Sequence, residues 1–103
     1  MPQSSGWVLY TGGCTKANII IRDLGGDEAG EIIAPARAMR AFFHFIMMDC
    51  WGDAPILDHL PSDGELIDRS PRADVAKFIE KELLEIIPQL TDEVSAQYLW
   101  ETD

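Results

Sequence analysis

At 103 residues the chain has room for one small domain, and 47% hydrophobic with 25% charged residues is a globular composition that argues against disorder. Eight basic against 18 acidic residues give a net charge of -10, which makes nucleic acid and anionic membrane surfaces poor partners, since both select for Lys and Arg. Two cysteines, Cys14 and Cys50, supply neither a disulfide framework nor a zinc set, and no apolar run reaches the ~18–20 residues of a membrane-spanning helix.

Trp7-Val8-Leu9-Tyr10 ahead of Thr11-Gly12-Gly13-Cys14 has the outline of a bacterial lipoprotein cleavage site. No Lys or Arg precedes the apolar stretch, which is shorter than the ~7–15 residues of a signal peptide, so no targeting signal is expected. The segment reads instead as a helix over about Trp7–Leu24. Trp7, Tyr10, Cys14, Ala17, Ile20, Ile21 and Leu24 recur at intervals of three and four. Gly12 and Gly13 each weaken it by about 1 kcal/mol relative to Ala, and Gly25-Gly26 ends it.

A second helix is predicted from about Glu31 to Trp51. Ile32, Ala36, Met39, Phe43, Ile46 and Cys50 form its apolar stripe, widened by Phe42, Phe45, Met48 and Trp51. A helix this apolar sits between neighbours. Pro35 belongs in its first turn or kinks it, and Arg37, Arg40 and His44 share a narrow polar stripe. From Gly52 to Arg69 the chain reads as a loop, with Pro55, Pro61 and Gly64 and five acids, Asp53, Asp58, Asp63, Glu65 and Asp68.

The third helix opens with Ser70 as N-cap, Pro71 at the first helical position and Asp74 near the positive end of the dipole. Val75, Phe78, Ile79, Leu83, Ile86 and Ile87 are its expected apolar face, with Lys77, Glu80, Lys81 and Glu85 opposite; Pro88 stops or bends it. A polar tail follows from Thr91, with an apolar island at Tyr98-Leu99-Trp100. No strand pattern is convincing. The expectation is an all-α fold: an antiparallel helical hairpin, forced by a connection of about six residues, plus a third helix. Paired helices of this kind are the unit of an α-solenoid, so residues 1–103 read as one partial domain of such a scaffold.

Ala36-Arg37-Ala38-Met39-Arg40-Ala41-Phe42-Phe43-His44-Phe45, followed by Trp51-Gly52-Asp53-Ala54-Pro55, is a specific combination. It resembles the SusD-like (RagB-type) outer-membrane nutrient-binding lipoproteins of Bacteroidetes, in which an Ala-x-x-Leu-Arg-Ala-aromatic-aromatic-x-Phe helix runs into a Gly-Asp-x-Pro turn. Trp7, Tyr10 and Asn18 resemble the Trp, Tyr and Ala-Asn of the family's preceding helix. Arg69-Ser70-Pro71-Arg72 with Val75, Phe78 and Ile79 is similar to its Arg-x-x-Arg-x-Glu-Val-hydrophobic-x-x-Ile segment, and Ile86-Ile87-Pro88-Gln89-Leu90 to its closing Ala-x-Leu-Pro. Met39, His44 and Asp74 depart from the usual Leu, aromatic residue and Glu.

The resemblance covers nearly the whole chain but only a middle portion of a family member. It implies a tetratricopeptide-like scaffold, tethered by lipid to the outer face of the outer membrane, that closes over a TonB-dependent (SusC-like) barrel transporter and binds oligosaccharides or peptides for import. On that reading this chain is a non-catalytic piece with no cofactor, lacking the lipidated start and most ligand-contacting loops, and Arg40, Gly52, Asp53 and Pro55 are its structural motif residues. The competing class is a helix-repeat module that binds a protein partner in its groove.

Other sites read as weaker. His44, Asp49, Cys50, Asp53 and His59 invite a metal or hydrolytic reading, but no His-x-x-x-His or Cys-x-x-Cys spacing fixes two ligands and no nucleophile–base–orienter set is visible. Asp63-Gly64 fails as a calcium hand, because Pro61 and His59 stand where acids are needed. Cys14 falls level with about Ala41 in the hairpin, leaving Cys50 roughly 13 Å away at 1.5 Å per residue, beyond disulfide reach; both read as packing residues. Arg37 and Arg40 read as structural, held by loop carbonyls or acids rather than by a bound anion. Trp51 reads as buried and Gly52-Asp53-Ala54-Pro55 as a local turn. Trp7 and Trp100 are the aromatic candidates for ligand.

Overall fold

In the computed structural model, residues 5–90 are described, and the fold is three helices with one minimal strand pair. Helix α1 (Ser5–Asp23) is followed by a 3₁₀ segment, Gly26–Ile33, then α2 (Ala34–Trp51), strands β1 (Ala54–Pro55) and β2 (Arg69–Ser70), and α3 (Arg72–Leu90). The Tyr98-Leu99-Trp100 island, and with it the ligand candidate Trp100, lies outside the described residues.

Helix α2 runs between the other two and antiparallel to both. Trp7 meets Trp51, Cys14 meets His44 and Asn18 meets Arg40 across the first pair. Phe78 meets His44 and Glu82 meets Arg40 across the second. The connection from α1 to α2 is less regular than a simple turn: the 3₁₀ segment breaks at Gly30, and α2 starts three residues later than the sequence suggests. Pro35 lies in the first turn of α2, where its missing N–H costs nothing.

The faces of the helices differ from their apolar periodicity in a consistent way. In α2 the buried residues are Ala34, Arg40, Ala41, His44 and Met47, whereas Met39 is half exposed and Ile32 and Cys50 are exposed. The inward face is the expected stripe moved on by one residue, a rotation of about 100°. The polar stripe therefore points into the molecule, because Arg40 and His44 find partners there. In α1, Cys14, Ala17, Asn18 and Ile21 are buried while Ile20, and Leu24 just past the end of the helix, are half exposed. In α3, Val75, Ile79, Glu82 and Ile86 are buried, and Leu83 and Ile87 are not.

The segment between α2 and α3 is tied down more firmly than its composition suggests. Gly52 adopts φ 83°, a left-handed conformation that suits Gly, and its N–H bonds back to Met48. Ala54 then pairs with Ser70, and Pro55 with Arg69, in an antiparallel bridge absent from the sequence expectation. Two residues per strand leave no alternation to read. The core gathers beneath this bridge, where Cys14, Ala41, Met47, Ala54, Val75 and Ile79 pack together.

Candidate functional site

The chemically richest region is a buried polar network at the centre of the three helices. Arg40, 7% exposed, donates from Nη1 to Asn18 Oδ1 at 2.7 Å and to the Asp58 carbonyl at 3.2 Å. Its Nη2 donates to Glu82 Oε1 at 2.6 Å. Arg37 reaches Glu82 from the solvent side, with Nε to Oε1 at 3.2 Å and Nη2 to Oε2 at 2.7 Å, and also bonds Glu85. Burial alone would raise the Glu82 carboxyl, but the two guanidiniums outweigh it and hold Glu82 below the usual carboxylate range. A carboxylate gripped by two forked cations is a strong charge-assisted joint between α2 and α3.

His44 is fully buried and works as a two-way connector. The Leu57 N–H donates to His44 Nε2 at 2.9 Å, which leaves Nδ1 to carry the ring proton and donate to the Arg40 carbonyl at 2.7 Å. Burial lowers its pKa, so the ring is neutral. Cys14 Sγ stands 3.7 Å from Nδ1, but burial pushes the Cys14 thiol up to about 12, opposed only partly by Arg40. A protonated thiol beside a neutral imidazole without its own general-base geometry is a packing contact, not a nucleophile.

Three consecutive loop residues are therefore held through their main chain. His44 takes the N–H of Leu57, Arg40 takes the carbonyl of Asp58, and Asn18 Nδ2 donates to the carbonyls of Leu57 and His59 at 3.0 and 3.4 Å. These groups have left ladder hydrogen bonding, and side chains of α1 and α2 replace it.

Asp53 completes the arrangement: its Oδ1 accepts the Arg72 N–H at 2.9 Å, which caps α3 from 19 residues away. Asp53 is thus a long-range cap, not the local one its turn suggests. The cap expected from Ser70 is displaced because Ser70 is engaged in β2, and the first helical bonds of α3 are accepted by the Pro71 carbonyl.

The remaining candidates separate. Trp7 packs edge-on against Trp51 at 5.1 Å, and the Arg69 guanidinium lies over its ring at 5.0 Å, so one face of Trp7 is already occupied. Trp7, Thr11, Pro55 and Arg69 line an open groove of about 530 Å³. Trp51 is half-buried at the edge of the core, not enclosed within it. His59 is exposed and bridges Asp58 and Glu65, each at 2.8 Å, while Asp49 and Cys50 are exposed on α2. Both cysteines are free, and Cys50 is a surface residue rather than a packing one. Among the described residues no three His, Cys, Asp or Glu side chains are grouped to hold a metal ion, and no helix is long and apolar enough to cross a membrane.

The opposite side of the helical layer is apolar. Val8, Leu9, Gly12, Ile20 and Met39 line a groove of about 500 Å³ between α1 and α2, with Lys16 its one charged residue. Phe45, Met48, Leu83, Leu84 and Ile87 line another of about 600 Å³ between α2 and α3, with Lys77 and Glu80. The ridge separating the two is α2 itself, with Met39, Phe42 and Phe45 each about half exposed.

Asn18 and His44 could be suspected from sequence as polar residues on apolar helices. Glu82 was concealed among the exposed acids of α3, although its spacing from Val75, Ile79 and Ile86 places it on their stripe. No protein-family model, curated protein or solved structure matches the chain.

Proposed function

We propose that the chain is a non-catalytic scaffold segment of a SusD-like, cell-surface nutrient-binding lipoprotein working with a TonB-dependent barrel transporter. One observation carries the reading: residues that bear the resemblance but lie far apart in sequence meet in one clamp. Asn18 and Arg40 bond each other, Asp53 caps the helix that follows Arg69-Ser70-Pro71, and Pro55 pairs with Arg69. A motif whose scattered residues have one joint purpose is more specific than the same residues matched one by one. Among the described residues the fully buried, neutral His44 and the raised Cys14 thiol leave the interior without an activated nucleophile, which favours binding over catalysis.

In this reading the clamp is architecture, and oligosaccharide or peptide is held by surfaces mounted on it. Extending the reading frame tests the proposal. A lipid-attachment signal upstream, further helix pairs downstream and an adjacent barrel-transporter gene are expected. Their joint absence, with the longer product failing to co-purify with any outer-membrane barrel, overturns it. The bare apolar side favours a second reading, a helix-repeat module that binds a protein partner; capture of a water-soluble partner by the longer product would favour that class.

A further inference from the structure

We propose that the apolar side of the helical layer is the interface of a two-fold symmetric dimer of this chain, with the α2 ridge of each copy seated in a groove of the other. The inference rests on the shape and area of that side and not on the family reading. Along α2, Met39, Phe42 and Phe45 follow one another at intervals of three, a row that crosses the helix obliquely from the wall of one groove to the wall of the other with Phe42 at its crest. A groove of about 500 Å³ flanks the ridge on one side and one of about 600 Å³ on the other. The body of α2 thus projects between two interhelical grooves, and a surface that carries both a projecting helix and a groove beside it is self-complementary under a two-fold rotation.

The area agrees with that occupant. Val8, Leu9, Ile20, Met39, Phe42, Phe45, Leu83, Leu84 and Ile87, on the ridge and groove walls, are between 37% and 67% exposed. With aromatic side chains at about 150–250 Å² and aliphatic ones somewhat smaller, they leave on the order of 800 Å² uncovered. The largest apolar patch of an ordinary monomer is about 300–600 Å², whereas a stable interface takes about 800 Å² from each partner.

Charge does not oppose the pairing at the contact itself. The chain carries -10 overall, but the groove linings hold Lys16, Lys77 and Glu80. Repulsion between copies therefore comes from acids away from the interface and is screened by salt. The other side of the layer is covered by the clamped loop, which leaves this side as the place where a second copy docks.

Sedimentation equilibrium on the full chain between 1 and 100 µM tests the proposal, with far-ultraviolet circular dichroism reporting the fold. A dimer is expected, tighter at 0.5 M than at 0.05 M salt. Phe42→Ser and Phe45→Ser, at half-exposed positions, are expected to keep the helical signal and weaken dimerisation at least tenfold. Leu66→Ser, at an exposed position in the loop, should leave the dimer unchanged. A wild-type chain that stays monomeric at 100 µM overturns the proposal. So does a dimer that survives both ridge substitutions, or one lost equally in Leu66→Ser.

Discussion

Arg37 and Arg40 are three residues apart on one stripe of α2, yet they are not equivalent. Removing Arg40 strands Asn18 Oδ1 and the Asp58 carbonyl and leaves the buried Glu82 carboxylate held only by Arg37, and breaking a buried ion pair from one side costs about 3–5 kcal/mol. Removing Arg37 leaves Glu82 still held by Arg40 and gives the other oxygen access to solvent. Arg40→Ala is therefore expected to lose about 3 kcal/mol and Arg37→Ala about 1 kcal/mol, read from urea midpoints; equal losses would contradict the network. His44 makes stability depend on pH. Its folded pKa lies below its ordinary 6.5, so its contribution is complete above that pH and is lost as pH falls through the folded value. Glu82, depressed below 4.5, adds a second loss in stronger acid. Exposed His59 has the opposite sign, its pKa raised chiefly by Asp58 and also by Glu65, so the measurement belongs in a His59→Gln background. There Tm is expected to fall between pH 7 and 5.5, and His44→Gln to flatten that slope.

The glycines of α1 give a sharper test at the scale of the helix. From sequence Gly12 and Gly13 carry the same penalty, but their surroundings differ. A Cβ at Gly12 meets nothing within 4 Å, while one at Gly13 would lie 2.6 Å from the Phe43 ring. Gly12→Ala should stabilise by up to ~1 kcal/mol, and Gly13→Ala should destabilise by about 1–3 kcal/mol as α1 and α2 are pushed apart; thermal melts of the two variants decide it. Asp53→Ala removes the cap of α3 and is expected to cost about 1 kcal/mol, with the loss concentrated in hydrogen-exchange protection of its first turn. The three helices were legible because apolar periodicity and punctuation by Gly and Pro are local signals. Their inward faces were less so: the polar character of Arg40, His44 and Glu82 reads as outward, and only the hydrogen bonds they find inside turn them inward. The β1–β2 bridge was illegible because two-residue strands carry no pattern, and the Asp53 cap because its partner lies 19 residues on.

At the scale of the molecule, three helices form one layer with unequal sides, a clamped loop over one and bare hydrocarbon over the other. An oligosaccharide site needs several aromatics and hydrogen-bonding groups converging in a concavity. Among the described residues Trp7 has one face under Arg69 and its edge against Trp51, which leaves it a poor stacking platform. Isothermal titration of this chain with a panel of oligosaccharides is expected to give no saturable heat. Saturable binding by the chain itself, abolished in Trp7→Ala, would move the ligand site into these residues.

The grip on residues 57–59 has an evolutionary consequence. His44, Arg40 and Asn18 hold an amide and three carbonyls that every residue type except proline can present equally well. The anchor is indifferent to which side chains the loop displays. Descendants of such a chain can exchange exposed His59 or Leu66 for other chemistry without disturbing how the loop is moored. A helical frame that reads only backbone is a socket into which new surface specificities can be substituted one residue at a time.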